Sequence, residues 1–267
     1  MEQFCQEIGM PVEVTEKLLS LQAALPDFPE RQLLRREQDW EAGLSAVKRR
    51  LEEDPGGFKM LLSMLRCALD AWDDYQRLKL SRQVYRDTMA CFSRFVREHQ
   101  NTYGEYGFDR EWWTVRQVSC RLFRIGALEY ELTAQAGQPV ISLHIPSDVR
   151  LLPPLLRDSY QDARRLLGAA FPKYQDKPMI CSSWLLSPAL QGLLSADSHI
   201  LQFQKSFQIT PAPCPDDSFF TWVFQTDSRD LEALPERTAL QRNLKAFLRN
   251  GGQFFNGYGV LMQDPFQ

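Results

Sequence analysis

The sequence lacks the paired cysteines from which small metal sites are built. Its six cysteines and three histidines are scattered along the chain, and no two cysteines form a CxxC pair. This spacing argues against a zinc knuckle or a thioredoxin-type centre. We therefore predict free thiols, no bound metal and no disulfide bond, with the cysteines acting as small apolar residues of the interior.

Targeting and membrane signals are also missing. The first ten residues contain Glu2 and Glu7 but no basic residue, so they do not have the charge pattern of a secretory signal. No run approaches the ~18 uncharged apolar residues that a membrane span needs. The chain has 31 basic and 34 acidic residues, without the strong basicity typical of nucleic-acid-binding surfaces. We expect a cytoplasmic protein that binds neither nucleic acid nor membranes.

Several catalytic fingerprints are absent as well. The sequence has no GxxxxGK[ST] loop, no GxGxxG after a strand, no GxSxG elbow and no HExxH. Gly257-Tyr-Gly259 lies near the end of the chain, where it cannot open a dinucleotide-binding unit. These absences argue against P-loop kinases, Rossmann dehydrogenases, α/β-hydrolases and zinc proteases.

The first part of the chain has the apolar spacing of amphipathic helices. Apolar residues recur every three or four positions up to about residue 110, in four segments: Val12–Leu25, Leu33–Leu51, Phe58–Trp72 and Tyr85–Val96. None of these segments shows the period-two alternation of strands. We therefore predict a helical N-terminal domain at residues 1–115.

After Trp112 the sequence changes to short apolar runs rich in aromatic and β-branched residues. Such runs predict strands, which we place at Val118–Ile125, Leu128–Leu132, Val140–Ile145, Met179–Leu186, Phe219–Gln225 and Gly257–Met262. Helical patterns follow Pro153, Ser198 and Thr238. Ser198 and Thr238 are residue types that commonly form N-caps. The short helix after Ser198 is predicted to carry Ile200, Phe203 and Phe207. The chain therefore has an α+β fold, with a mixed α/β C-terminal domain at residues 116–267.

The segment Ile141–Asp148 is the first candidate site, because it joins a strand to a helix. His144 lies in the predicted strand, and Ser147 and Asp148 stand just beyond its end. Ligands of open α/β sheets collect at the carboxyl ends of strands, and a histidine there can act as a general base. The alternative is a hydrogen-bonded strand histidine followed by two turn-forming residues.

The segment Leu234–Arg242 is the second candidate site, because it enters a helix after the apolar run Phe219–Gln225. Thr238, Gln241 and the guanidinium of Arg242 stand beside free backbone N–H groups, which together suit an anion. If both preceding runs are strands of one sheet, this segment shares a crevice with His144. The alternative is an ordinary capped helix with a solvent-facing arginine.

The segment Cys181–Pro188 is the third candidate. A cysteine beside a strand can be a nucleophile, but only with a partnered base, and the sequence places no histidine next to Cys181. We therefore favour a packed thiol at this position. Trp184 and Ser187 are candidates for lining a pocket, and Trp184 is equally suited to the core.

Five segments of the sequence resemble one family of bacterial acyltransferases. They are Cys120-Arg-Leu-Phe-Arg-Ile-Gly126, Ser142-Leu-His-Ile-Pro146, Cys181–Pro188, Ser198–Gln204 and Leu234–Arg242. Proteins of this family have a helical N-acyltransferase N-terminal domain and a GNAT-like C-terminal domain. The resemblance implies a splayed, mixed sheet flanked by helices that binds acyl-coenzyme A. It also implies a phosphate site at a helix N-terminus after a central strand, usually with an Arg/Gln-x-x-Gly-x-Gly/Ala loop, which this sequence lacks.

The same resemblance implies an acyl-CoA-dependent N-acyltransferase whose acceptor is a small amine or a peptide. His144 would be the base and Ser187 or Tyr258 the acid. Binding of acyl-CoA, the donor substrate, would fall to the residues Ser147, Thr238, Gln241 and Arg242, and no metal is needed. The alternative is a non-catalytic ligand-binding or interaction protein that retains the GNAT-like scaffold.

Overall fold

The computed structural model describes residues 1–214, 217–226 and 228–263, with the backbone alone at 211–214. These residues form two compact units. The first comprises Met1–Ile125, Glu129–Thr133 and Ala163–Gln175, and the second comprises Gly126–Leu128, Ala134–Asp162 and the residues from Asp176 on. No helix in the described part of the chain is long and apolar enough to cross a membrane.

Residues 1–121 form helices and turns, and up to about residue 110 this agrees with their apolar spacing. The helices are α1 Glu2–Glu7, α2 Val12–Ala24, α3 Trp40–Leu51, α4 Phe58–Arg77, α5 Arg82–Met89, α6 Cys91–Tyr103 and α7 Glu111–Val118. The first half of the predicted helix Leu33–Leu51 is different, because Pro29–Arg35 forms a 3₁₀-helix that ends before α3 begins.

Buried polar contacts tie this 3₁₀-helix to α4 in the first unit. Arg31 is almost fully buried, and its guanidinium contacts Asp70 on α4 and Asp27, each at 2.5 Å. Around these contacts α4 buries apolar residues along most of its length, including Leu61, Leu65 and many others. The burial of one long apolar stripe provides the main driving force for this packing.

The strands form one mixed, six-stranded sheet. They are β1 Leu122–Ile125, β2 Leu128–Gln135, β3 Gln138–His144, β4 Met179–Ser183, β5 Phe207–Cys214 and β6 Asn256–Leu261, in the order β1-β2-β3-β4-β6-β5. Strands β3 and β4 are parallel, whereas β6 is antiparallel to both β4 and β5. A parallel pair needs a long crossover, which here contains α8 at Pro153–Ala170. Two further helices follow, α9 at His199–Gln204 and α10 at Ala239–Arg249.

The prediction of a central strand at Phe219–Gln225 is wrong. Residues Phe220–Phe224 form one turn of π-helix, which ends where Gln225 takes a left-handed conformation. Four apolar residues of this turn region pack in a cluster with residues from the segments around it: Leu190, Leu193, Phe219, Phe220, Val223, Phe224, Leu234, Leu244 and Phe254. A short apolar run has the same composition in a buried strand and in a buried helix, so its periodicity could not separate them.

Several other predicted boundaries also shift. The strand from Met179 ends at Ser183 instead of Leu186, because the Ser183 hydroxyl accepts a hydrogen bond from the Leu185 N–H and starts a 3₁₀-turn. The strand predicted from Val118 begins at Leu122, since α7 continues to Val118 and a turn follows. Phe207 belongs to β5 rather than to the short helix after Ser198.

Candidate active site

The pairing of strands β3 and β4 ends before their carboxyl ends. Their parallel register pairs Ile141 with Met179 and Ser142 with Ile180, and among the described residues the ladder ends there. Strand β4 nevertheless stays paired with β6 as far as Ser183. We call the unpaired stretch beyond this point, beside the last residues of the two central strands, the gap between β3 and β4.

The backbone of β4 presents hydrogen-bonding groups to this gap. The Ile141 N–H donates to the Pro178 carbonyl at 3.0 Å, so the even-numbered residues of β4 direct their N–H and C=O groups toward β3. Ser182 is the first such residue beyond the end of the ladder, and it is exposed. Its N–H is therefore oriented to donate to an oxygen atom between the strands.

The residues predicted at the end of β3 occupy that position in the structure. His144 is the last residue of the strand and is half-buried, and Ser147 and Asp148 are exposed in the loop that follows. The loop ends where α8 begins at Pro153, as predicted. His144 and Ser147 therefore stand at the carboxyl end of a central strand of the sheet.

The start of α8 offers few backbone donors. Pro153 and Pro154 have no N–H, and the Leu156 N–H already donates to the Leu152 carbonyl at 3.0 Å. Of the first four helical residues, only Leu155 has an N–H that is not accounted for by the two prolines or by the Leu156 hydrogen bond. The loop before the helix contains a cationic side chain, Arg150, which is exposed.

The start of α10 is closed by its own side chains. The Thr238 hydroxyl accepts from the Gln241 N–H at 3.1 Å, and the Gln241 carbonyl oxygen accepts from the N–H groups of Arg237 and Thr238 at 2.7 and 3.0 Å. The NH₂ group of the Gln241 amide donates to the Val223 carbonyl at 2.9 Å. This arrangement is a capping box, so the predicted N-cap is confirmed.

Arg242 is exposed and folds back on the chain. Its Nη1 donates to the carbonyl of Glu236 at 2.9 Å and to that of Arg237 at 3.4 Å. The crevice that it was expected to share with His144 required a strand at Phe219–Gln225, and that segment is helical. The assignment of Thr238, Gln241 and Arg242 to a donor site therefore stays a prediction, and the shared crevice with His144 no longer supports it.

Lys245 connects α10 to the loop before it through hydrogen bonds. Lys245 is almost fully buried, and its ammonium donates to the carbonyls of Glu232 and Leu234 and contacts the Glu236 carboxylate at 2.8 Å. The hydrogen bond and positive charge of Lys245 lower the pKa of Glu236. Both α10 and its preceding loop are therefore held by internal polar contacts.

The third candidate segment contains no exposed thiol. Cys181 is fully buried, and burial raises the pKa of its thiol to about 12, so the reactive thiolate is disfavoured. Ser187 is also buried and begins a 3₁₀-helix. Tyr258 is half-buried on β6, opposite Ser182, and its hydroxyl donates to the Gln135 side chain at 2.9 Å. Groups of three or more metal-ligating residues are absent from the described part of the chain.

Sequence reasoning missed the residues that hold the turn after β4. Gln204 at the end of α9 is almost fully buried, and its amide donates to the carbonyls of Leu185 and Ser187 at 2.9 and 3.0 Å. On the other side, a Cβ at Gly257 would overlap the Leu186 carbonyl. The sequence marks this turn only by Ser187-Pro188, because a glutamine that ends a short helix has no distinctive pattern.

Comparison with known families covers nearly the whole chain. Residues 1–120 match the N-acyltransferase N-terminal domain, and residues 122–261 match the GNAT-like C-terminal domain. The chain therefore belongs to the family of proteins with a GNAT-like C-terminal domain, preceded here by the N-acyltransferase N-terminal domain. The resemblance seen in the sequence is confirmed.

Solved structures confirm the fold. The chain is similar to crystal structures of an acyltransferase in complex with decanoyl-CoA and teicoplanin, with a TM-score of 0.79 and 24% identity. It is also similar to structures of an acyltransferase with CoA and 10C-teicoplanin, with a TM-score of 0.79 and 23% identity. Each comparison covers 97% of this chain and 86% of the other. No curated protein matches the chain.

Proposed function

We propose that this protein is an acyl-CoA-dependent N-acyltransferase, and that the donor lies where β3 and β4 separate. The observation that carries the proposal is the gap between these parallel strands, with His144 at one strand end and the Ser182 N–H directed into it. Membership of a GNAT-like family and similarity to proteins crystallised with acyl-CoA support the same activity.

The proposed chemistry is a direct transfer. The amine nitrogen attacks the thioester carbonyl carbon, a C–N bond forms, and the C–S bond breaks. His144 accepts the proton that the amine loses, and the backbone N–H of Ser182 stabilises the negative charge on the carbonyl oxygen. The departing thiolate takes a proton from Tyr258 or Ser187, of which Tyr258 is the less buried.

Side chains would bind the phosphates of the donor. The two prolines at the start of α8 remove backbone donors that a phosphate needs. Ser147 and Arg150 lie in the loop between β3 and α8, beside the proposed donor site. We propose these two as the phosphate contacts, and the alternative assignment is to Thr238, Gln241 and Arg242 at α10.

The acceptor is proposed to be a primary amine of a small molecule or a peptide. Attack on a thioester needs a nucleophilic nitrogen, and the base assigned to His144 fits an amine that arrives protonated. Similarity to an acyltransferase crystallised with teicoplanin supports a peptide-like acceptor.

A two-stage experiment tests this function. Acetyl-, octanoyl- and decanoyl-CoA are first screened by thermal shift, because a ligand that binds the folded state raises its melting temperature. The donors that bind are then incubated with primary amines and peptides, and release of the CoA thiol is followed together with amide formation.

The His144 variants provide the test of mechanism. His144→Gln should lower kcat by about 10²- to 10⁴-fold while donor affinity is retained, since general-base catalysis has this magnitude. His199→Gln is the matched control, because His199 is exposed at the start of α9. Full activity in folded His144→Gln would contradict the assigned base, and failure of all donors to bind would contradict the proposed function.

A specific observation favours a second function, a non-catalytic binding or interaction protein on the same scaffold. The loop between β3 and α8 has no glycine, and α8 begins with Pro153-Pro154. Donor binding without thiol release across the amine panel would support this alternative.

A further inference from the structure

The turn that ends β4 is held from two sides. We define this β4-end turn as residues Ser183–Ser187, which contains the 3₁₀-helix Trp184–Leu186. From one side, the buried amide of Gln204 donates to the carbonyls of Leu185 and Ser187. Both hydrogens of its NH₂ group are thereby used on one segment of backbone.

The second side of the turn is β6. Gly257 lies opposite Ser183 in the antiparallel ladder, and a Cβ at this position would overlap the Leu186 carbonyl. At Gly259 a Cβ would crowd Phe207 and the Leu186 side chain. The two glycines of Gly257-Tyr-Gly259 therefore allow the turn to lie directly on the strand, which gives this sequence motif a structural role.

Inside the turn, the backbone is also fixed. The Ser183 hydroxyl accepts from the Leu185 N–H at 3.2 Å, and the Ser187 N–H donates to the Trp184 carbonyl at 2.9 Å. Ser182 directly precedes this turn and is the residue whose N–H faces the gap between β3 and β4. The orientation of that N–H therefore depends on the position of the turn as well as on the pairing of Ser182 with Tyr258 on β6.

We infer that Gln204 is a positioning residue of the active site. Its amide holds the β4-end turn through two carbonyls, and the turn holds the Ser182 N–H in the direction that the thioester oxygen requires. This inference rests on the proposed transferase function. It predicts that loss of the amide affects the chemical step rather than donor binding, because the proposed donor position lies beside Ser182, and Gln204 acts only through the turn.

The test uses the full chain with Gln204→Met, which keeps the side-chain length and removes both donors. We expect kcat to fall about ten- to a hundred-fold with KM for acyl-CoA changed less than threefold, since a displaced oxyanion donor acts on the transition state. Gln202→Met is the matched control on the same helix, because the Gln202 amide makes one exposed hydrogen bond to Asp197. It should retain wild-type kcat.

Two further measurements test the role of the β4-end turn independently of the kcat of Gln204→Met. Ser183→Ala removes the internal bond of the turn and should give a smaller fall in kcat if Gln204→Met proves unstable. Hydrogen exchange should be faster in the β4-end turn of Gln204→Met than in Gln202→Met. Unchanged kcat in folded Gln204→Met, or an equal loss in Gln202→Met, would overturn the inference. If the wild-type chain transfers no acyl group, the proposed function fails, and unchanged exchange would still refute the role of Gln204 in the turn.

Discussion

The starts of α8 and α10 satisfy their backbone groups in opposite ways. Helix α10 begins with a capping box, in which the Thr238 hydroxyl accepts from the Gln241 N–H and the Gln241 side chain accepts from the N–H groups of Arg237 and Thr238. Helix α8 begins with Pro153-Pro154, which have no N–H groups to occupy. At α10 this cap engages one N–H of the first turn, whereas at α8 the two prolines remove two of them.

The difference between the two starts lies in what remains for a ligand. At α10, Arg242 donates to backbone carbonyls of its own loop. At α8, Arg150 is exposed in a loop that follows a central strand of the sheet. The comparison leads us to expect that the guanidinium of Arg150, rather than that of Arg242, contacts the phosphates of the proposed donor.

The largest effect expected from this comparison concerns the two arginines. Arg150→Ala should weaken acyl-CoA binding by about ten- to a hundred-fold, which corresponds to about 1.5–3 kcal/mol for one charge-assisted hydrogen bond. Arg242→Ala should change the affinity less than twofold. Isothermal calorimetry with both variants checks the prediction, and the reverse result would assign the phosphates to α10.

A smaller effect is expected at the capping box. Gln241→Met leaves two N–H groups and the Val223 carbonyl without their partner, which should lower the free energy of unfolding by about 1–3 kcal/mol. Urea denaturation measures this change. Donor affinity should stay the same in the folded variant, and a parallel loss of affinity would show that α10 does contact the donor.

The smallest effect is a pH dependence at the same helix. Lys245 holds the pKa of Glu236 below its ordinary value of about 4.5. This contact therefore stabilises the fold above that pH and loses its effect as the pH falls through the lowered pKa. Glu236→Gln should lower the denaturation midpoint at pH 7 and should lower it less at pH 3. A constant difference at both pH values would contradict the assigned charge interaction.

The sequence predicts elements best where a local signal fixes them. Thr238 marks the start of α10 because its hydroxyl can cap only the helix that follows it, and helical spacing likewise marks α4. The run Phe219–Gln225 has no such signal. Its π-helical turn depends on packing against Leu234, Leu244 and Phe254, which are distant in the sequence. Tertiary contacts of this kind cannot be derived from composition.

The candidate site shows the same division. The position of His144 at a strand end, followed by Ser147 in a loop, was predictable because Pro153 limits where the next helix can begin. The gap between β3 and β4 was not derivable from their residues, since it depends on how many residues of each strand pair. Gln204 was also missed, because its partners are two carbonyls and any backbone segment offers such groups.

The buried cysteines allow local unfolding to be measured by thiol labelling without introducing a probe. Cys5, Cys67, Cys91, Cys120 and Cys181 are free and buried, and burial raises the pKa of the Cys120 and Cys181 thiols to about 12. Such thiols react with a labelling reagent only after the surrounding structure opens. Cys120 lies in the first compact unit and Cys181 in the second. The labelling rates of these two thiols therefore report the opening free energies of the two units separately, in the unmodified protein.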